Sequence, residues 1–334
     1  MKRLYLHIGF NKTGSTTLQR CLFRNSTTLE QAGILYPGRL HDSYMQNYQH
    51  TPLAAALPER QVSWLRPGKR ASLDRALRDL LARIESSAAE TVVISSEAFG
   101  GIDMTQDRVE LVQRKLAQFD TRIIAYIRRQ DEYFLSTYQE EIKNGGRHAF
   151  QFPRYATNRQ FTFSQRLAPW RAVFGADRVI VRPFERRFWP DGNLEYDFFD
   201  IIGAPLDNLT PMEKPANESL SFCALEFMRQ LNILGAQESD FALTQAQAQK
   251  LTAAYSQVLL VEESQQKMAL SSDQAETLRD HFRDDNIAAL EGSGIGVDEF
   301  FPPVAPGRTA LLQPQSPDPK VLLRLLARQI QTTS

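Results

Sequence analysis

The sequence of 334 residues has little of what several classes of protein need. Its two cysteines, Cys21 and Cys223, are too few for a disulfide framework, and neither lies in a C-x-x-C metal spacing. No run reaches about 18 apolar residues, so we expect no membrane span. Lys+Arg and Asp+Glu both number 39, and this balance does not favour nucleic acid or an anionic membrane as a partner. Any anion site must therefore be local.

The N-terminus also lacks the pattern of a targeting signal. Residues 1–8 are basic and then apolar, but Gly9, Asn11 and Lys12 interrupt the apolar stretch almost at once. Together with the few cysteines, this predicts a cytoplasmic protein.

Short apolar strands alternate with amphipathic helices over the first 220 residues or so. Strands are predicted at Leu4–Ile8, Thr91–Ser95, Arg122–Ile127 and Arg178–Arg182. Helices are predicted at Ser15–Asn25, Ser72–Ser87, Asp107–Phe119 and Asp131–Lys143, with another ending near Phe174, whereas residues 33–70 are predicted to be irregular with short helices. This alternation predicts an α/β fold of three layers, with a central parallel sheet covered on both faces.

From about residue 220 onward helices dominate, with predicted helices at Ser221–Leu234, Thr244–Leu260 and Ser272–Leu290. Several prolines then predict a linker before a last helix at Val321–Ile330. We therefore expect one domain over residues 1–302 and a Pro-rich linker with a C-terminal helix over 303–334. That helix is expected to dock on its own domain or on a second copy in a homo-oligomer, without stable membrane insertion.

The segment after the first strand is close to a phosphate-binding loop. Counting from Gly9 in the Walker pattern G-x-x-x-x-G-K-[ST], Gly14 and Thr16 fall correctly, but Ser15 occupies the lysine position. The lysine is instead Lys12, inside the loop. Such a loop and the following helix N-terminus can cradle a phosphate with backbone N–H groups, which would place Lys12 near the bond that breaks. The alternative is a plain Gly/Ser/Thr turn.

The run from Leu6 to Gln19 resembles the 5′-phosphosulfate-binding loop of sulfotransferases, and bacterial carbohydrate sulfotransferases most closely. The resemblance implies a P-loop-NTPase-like core, 3′-phosphoadenosine 5′-phosphosulfate as the donor, no metal, and a glycan hydroxyl as acceptor. The implied loop ligands are Asn11, Lys12, Thr13, Gly14, Ser15, Thr16 and Thr17.

The family binds the 3′-phosphate with an arginine at a strand end and a serine eight residues later. Arg128 and Ser136 have this spacing, with Arg129 as a competing candidate and a plain surface arginine as the alternative. Phe184 stands where the family often has a tyrosine, so we expect it to contribute packing.

Transfer to a hydroxyl benefits from a general base. Glu97, at the carboxyl end of the second predicted strand, is the first candidate, and capping of the next segment is its alternative role. His50, in the irregular segment, is the alternate base. His7 lies within the first strand and is expected to be a satisfied core residue.

Two rival functions remain at this point. Glu97 as a metal ligand beside a variant P-loop would suit a nucleotide-dependent kinase, although that class needs a lysine after Gly14. A non-catalytic nucleotide- or glycan-binding protein could also keep such a loop. Lys12 together with a candidate base favours the sulfotransferase.

Overall fold

A computed structural model describes the protein at residues 1–38, 49–55, 70–152, 158–207, 209–210, 219–237, 243–258, 266–307 and 309–310. The predicted helix Val321–Ile330 lies outside these residues. No helix within these ranges is long and apolar enough to cross a bilayer.

A five-stranded parallel sheet forms the centre of the fold. Its strands in chain order are β1 (Arg3–His7), β2 (Ile34–Leu35), β3 (Thr91–Ser95), β4 (Asp120–Ile127) and β5 (Val179–Pro183). Their spatial order is β2-β3-β1-β4-β5, and every pair of neighbours is parallel. Because β1 lies between β3 and β4, the chain builds the sheet first to one side of β1 and then to the other. Open sheets of this kind bind ligands at the carboxyl ends of the strands near such a reversal.

The helices of the described residues connect and follow these strands. They are α1 (Ser15–Arg24), α2 (Ser26–Gln31), α3 (Thr51–Ala55), α4 (Arg70–Ser86), α5 (Gln106–Lys115), α6 (Gln130–Lys143), α7 (Phe163–Phe174), α8 (Leu194–Ile202), α9 (Phe222–Gln237), α10 (Gln245–Val258), α11 (Ser272–His281), α12 (Arg283–Leu290) and α13 (Val297–Phe300). A short 3-10 helix at Glu97–Gly100 follows β3 directly.

Both faces of the sheet are buried. On one face Tyr5, Val93 and Ile124 pack against α1 and α8 in a single apolar cluster. The alternate strand residues, such as Leu4 and Leu6, are also fully buried and point to the opposite face, where α7 contacts β4 and β5. The chain is therefore a three-layer α/β protein, as the sequence predicted.

The chain divides into two compact units, and neither is one continuous stretch. The first comprises the described residues within Met1–Arg129, Thr162–Ala216 and Arg283–Phe301, and it contains the whole sheet. The second comprises those within Gln130–Phe161, Asn217–Phe282 and Pro302–Ser334. Within the second unit, Phe227 and Tyr255 stack with ring centroids 4.2 Å apart, joining α9 to α10.

Several elements differ from the predictions. The two-residue strand β2 was predicted as irregular, because two residues are too few to show a strand pattern. Helices α2, α8 and α13 were not predicted from the sequence. The predicted helix Ser272–Leu290 is two helices that meet at Phe282, whose buried ring packs against Phe134.

Candidate functional site

The candidate site is built on the carboxyl edge of the sheet. β1 pairs with β3 so that His7 lies beside Ser95, which brings Gly9 next to Glu97 just beyond the strands. On the other side, the backbone N–H of Ile8 donates to the carbonyl of Ile124 at 3.0 Å. Because the strands are parallel, the segments that follow β1, β3, β4 and β5 all leave the sheet at this edge.

The loop between β1 and α1 has an unusual backbone. Gly9, Lys12 and Gly14 have φ values of 39°, 66° and 75°. Lys12 is thus a non-glycine residue in the left-handed region, a conformation that costs energy and is found at functional loops. The hydroxyl of Thr13, fully buried, donates to the carbonyl of Phe10 at 2.5 Å and closes the loop. Thr13 therefore shapes the loop with its side chain and has only its backbone N–H for a ligand.

Helix α1 has no side-chain cap at its N-terminus, which follows the loop directly. Gly14 is its N-cap in the left-handed conformation, and the first turn contains no acidic residue. The first N–H groups of a helix lack intrahelical partners and attract anions. The hydroxyl oxygen of Ser15 is buried, with the residue 1% exposed, and has no hydrogen-bond partner among the described residues. An anion held at this N-terminus would give that hydroxyl an acceptor.

Glu97 lies against the loop. A Cβ built on Gly9 would stand 2.7 Å from the hydroxyl oxygen of Ser15 and 3.4 Å from Cγ of Glu97. Glu97 is the first residue of the 3-10 helix, whose N-cap Ser96 accepts from the backbone N–H of Ala98. The carboxylate predicted as the base is therefore a neighbour of the predicted phosphate loop, and Ser96 rather than Glu97 provides the side-chain cap.

The far end of this 3-10 helix also packs on the loop. A Cβ on Gly100 would stand 2.2 Å from the carbonyl oxygen of Gly9, so only glycine allows the two backbones to approach this closely. Arg166 on α7, 8% exposed, donates to the carbonyl of Gly100 at 3.0 Å through Nε and lies 3.8 Å over the ring of Phe10. Neither Gly100 nor Arg166 was predicted as part of the site, and the Gly100-Gly101 pair is the local signal for it in the sequence.

Arg128 touches the loop from the β4 side. Its Nη1 donates to the carbonyl of Lys12 at 3.3 Å, and its guanidinium lies 5.4 Å from the centre of the Phe184 ring. Phe184 in turn packs on Gly14, where a Cβ would stand 2.7 Å from the ring. Phe184 is thus a packing residue that joins Arg128 to the loop.

The competing candidate, Arg129, points to other partners. Its guanidinium lies 3.9 Å from the Glu185 carboxylate and 4.9 Å from the centre of the Phe301 ring. These contacts favour Arg128 as the arginine of the site.

His50 is held by its surroundings on both ring nitrogens. Nδ1 accepts from the backbone N–H of Ser95 at 3.1 Å, and Nε2 lies 2.9 Å from the carbonyl of Pro37. Burial lowers the pKa of this imidazole to about 4. With both nitrogens engaged, His50 has none to offer a substrate proton, so the geometry favours Glu97 over His50.

The remaining predicted ligands differ in how they are placed. Asn11 is exposed in the loop, and Thr16 and Thr17 are half-buried in the first turn of α1. Ser136 lies on α6 in the second unit, whereas Arg128 belongs to the first. Their shared 3′-phosphate site stays a prediction.

Comparisons with known proteins are sparse. No family model matches the chain. A protein of Archaeoglobus fulgidus, described only as uncharacterized, is 27% identical over 144 residues, which are 42% of this chain and 38% of that protein. The match thus spans well under half the length of that relative. A solved sulfotransferase from Alicyclobacillus acidocaldarius covers 88% of this chain and 96% of its own, at a TM-score of 0.40 and 14% identity. That score is too low to assign a fold or an activity.

Proposed function

We propose that this protein is a sulfotransferase that moves a sulfuryl group from 3′-phosphoadenosine 5′-phosphosulfate to a hydroxyl, on a carbohydrate or a glycolipid. One observation carries the proposal: the loop with Lys12, the arginine Arg128 and the carboxylate Glu97 meet at one edge of the sheet. This reaction needs an anion site, here the loop with Lys12, a second cation, here Arg128, and a base, here Glu97.

The donor supplies an activated sulfuryl group on its 5′-phosphate. In the proposal, the N–H groups at the start of α1 and the hydroxyls of Ser15, Thr16 and Thr17 hold that phosphate. The buried hydroxyl of Ser15, without a protein partner among the described residues, supports this role, because a buried donor left unpaired costs about 1–3 kcal/mol.

Lys12 has the role of stabilising the leaving oxygen. In the proposal, its position inside the loop, rather than after Gly14, puts its charge between the phosphate cradle and the incoming acceptor, and the sequence spacing supports this. As the bond from sulfur to the bridging oxygen breaks, negative charge grows on that oxygen, and a nearby ammonium group favours this transition state.

Glu97 has the role of the general base. The acceptor oxygen forms a bond to sulfur, its proton passes to the Glu97 carboxylate, and the bridging oxygen keeps the electron pair of the broken bond. The proximity of Glu97 to Gly9 and Ser15 supports this assignment over His50.

The proposal also includes a metal-free reaction in the cytoplasm, and Arg128 with Ser136 as the 3′-phosphate ligands. A kinase is disfavoured because the position that would hold the Walker lysine is Ser15, a buried residue.

The first experiment is calorimetric titration of the metal-free protein with 3′-phosphoadenosine 5′-phosphate, compared with ATP and magnesium. The proposal expects tight binding of the bisphosphate that Arg128→Ala weakens and Arg129→Ala preserves. Preference for ATP with magnesium would favour the kinase, and binding of neither nucleotide would favour a non-catalytic protein.

Once the bisphosphate binds, the acceptor is sought with radiolabelled donor and a panel of sugars and glycolipids. Transfer of label to a sugar hydroxyl supports the carbohydrate assignment. Transfer only to small non-sugar alcohols would retain the reaction class and overturn the acceptor class.

A further inference from the structure

A buried polar network lies directly beneath the candidate site. Nδ1 of His7 lies 2.8 Å from the hydroxyl oxygen of Ser95, and the side-chain amide of Gln19 donates to the same oxygen at 3.0 Å. All three residues are at most 1% exposed. The network therefore joins the end of β1, the end of β3 and the helix α1 through one hydroxyl.

The hydrogen-bond inventory is compatible with either neutral tautomer of His7. The Ser95 oxygen has two lone pairs, so while it accepts from Gln19 it can either donate its proton to Nδ1 of His7 or accept from an Nδ1–H. Burial supports a neutral ring, since it lowers the pKa of His7 to about 3.

The ring of His7 is fixed in place and borders the loop. It packs edge-on against Tyr126 and Phe198, with centroids 6.0 Å and 5.4 Å away. Its Cε1 lies 3.5 Å from the position that a Cβ on Gly9 would occupy. Nε2 of His7 and the side-chain carbonyl oxygen of Gln19 are buried without a hydrogen-bond partner among the described residues. Buried polar groups are usually paired, so packing alone does not account for these two residues.

We propose that His7 is a positioning residue that acts through Ser95: its buried ring, bonded to the Ser95 hydroxyl, holds the end of β3, and with it Glu97, in register with the N-terminus of α1. His7 is fully buried and so does not touch a substrate itself. From the other side His50 holds the backbone N–H and carbonyl of Ser95. This role rests on the proposed function, because it serves the alignment of Glu97 with the phosphate loop.

Three measurements test it on the full chain. Sulfate release from the donor, with water as acceptor, gives turnover; titration with 3′-phosphoadenosine 5′-phosphate gives affinity; thermal unfolding gives stability. We expect His7→Leu to lower turnover by about tenfold or more while affinity changes less than about threefold, because the N–H groups of α1 stay in place. The melting temperature should change little, since the variant removes the unpaired Nε2 together with the ring, while the Ser95 hydroxyl loses one partner and keeps Gln19.

His7→Asn, whose amide can accept from or donate to the Ser95 hydroxyl near the position of Nδ1, should restore much of the turnover. Ser95→Ala should lower turnover about as much as His7→Leu does. Combining the two changes in one variant should lower turnover little further. His148→Leu, in the second unit, is the matched control. A melting temperature that falls in step with turnover, without rescue by His7→Asn, would reduce His7 to a packing residue and overturn the proposal.

A readout independent of activity is nitrogen-15 NMR of the five histidines with selective labelling. A neutral ring for His7 at pH near 6 with Nδ1 in a hydrogen bond supports the proposal, whereas an imidazolium, or a neutral ring whose Nδ1 makes no hydrogen bond, overturns it. Failure of the wild-type protein to bind the bisphosphate would instead overturn the proposed function and remove the reaction that His7 serves.

Discussion

Gly100 and Gly9 meet backbone to backbone: a Cβ on Gly100 would stand 2.2 Å from the carbonyl oxygen of Gly9 and 2.7 Å from that of Ile8. This contact joins the segment that begins at Glu97 to the loop that follows β1. Both backbones are held in place, because Arg166 donates to the carbonyl of Gly100 and the N–H of Ile8 donates to the carbonyl of Ile124 in β4.

Gly100→Ala should therefore disrupt the site. We expect a loss of about 1–3 kcal/mol in the free energy of unfolding, from overpacking against backbone atoms, and bisphosphate binding weakened more than about tenfold. Thermal unfolding and calorimetric titration measure the two effects. The matched control is Gly296→Ala, where φ is −73° and no atom lies within 4 Å of the added Cβ. If Gly100→Ala binds the bisphosphate as tightly as the wild-type protein, the close approach of Gly100 to Gly9 is not required for binding.

Lys12 combines a strained backbone with the proposed catalytic charge, and two substitutions separate these features. Lys12→Ala and Lys12→Gly both remove the ammonium group, so each should lower turnover by about 10²–10³-fold with a much smaller loss of bisphosphate affinity. Only glycine relieves the positive φ of 66°, so Lys12→Gly should be more stable than Lys12→Ala by roughly 1 kcal/mol. Equal losses of affinity and turnover would contradict the leaving-group role.

Arg128 is predicted to act on both affinity and turnover. Arg128→Ala should weaken bisphosphate binding by about 10–100-fold, the loss of a charge-assisted hydrogen bond. Because Arg128 also donates to the carbonyl of Lys12, turnover should fall as well. Arg129→Ala, which loses contacts with Glu185 and Phe301 instead, is the control for both assays. A larger binding loss in Arg129→Ala would exchange the two roles.

Ser15→Ala tests the unpaired hydroxyl. In the ligand-free protein this change removes a buried group without a described partner, so unfolding stability should stay equal or increase by a few tenths to about 1 kcal/mol. Affinity for the bisphosphate should nevertheless fall about tenfold. The increase in melting temperature on adding the bisphosphate reports both effects in one titration, and an unchanged increase would exclude the hydroxyl as a ligand.

The two buried histidines predict how stability depends on pH. Burial lowers the pKa of His7 to about 3 and of His50 to about 4, whereas both imidazoles titrate near pH 6.5 in the unfolded chain. Between the folded and unfolded pKa values, the unfolded chain binds more protons than the folded protein. The contribution of these two histidines to the free energy of unfolding is therefore complete above about pH 6.5. It falls by about 1.4 kcal/mol per pH unit for each histidine as the pH decreases below that value.

Urea unfolding between about pH 7.5 and 4.5 measures this slope above the range where most carboxylates titrate. His7→Leu should remove about half of the slope. A slope unchanged in His7→Leu would mean that His7 does not stay neutral in the folded protein.

Much of the fold follows from local patterns. The four longer strands lie within two residues of their predicted limits, because each is a short apolar run that parallel sheets bury on both faces. β2 was missed because two residues carry no periodicity. Helices α2 and α13 were missed because they have only six and four residues, and α8 because it is defined by packing on the sheet. The break at Phe282 likewise depends on where its side chain is buried.

For the site, the sequence by itself determined the loop, its displaced lysine and the strand ends that carry Glu97 and Arg128, because these are local in the chain. Only the tertiary structure decided that Arg128 reaches the loop carbonyl, that His50 is engaged on both nitrogens, and that Gly100 must be glycine. Each of these depends on atoms from segments tens of residues apart. Tertiary packing of the strands and of the segments that follow them brings such atoms together, and no local pattern records it.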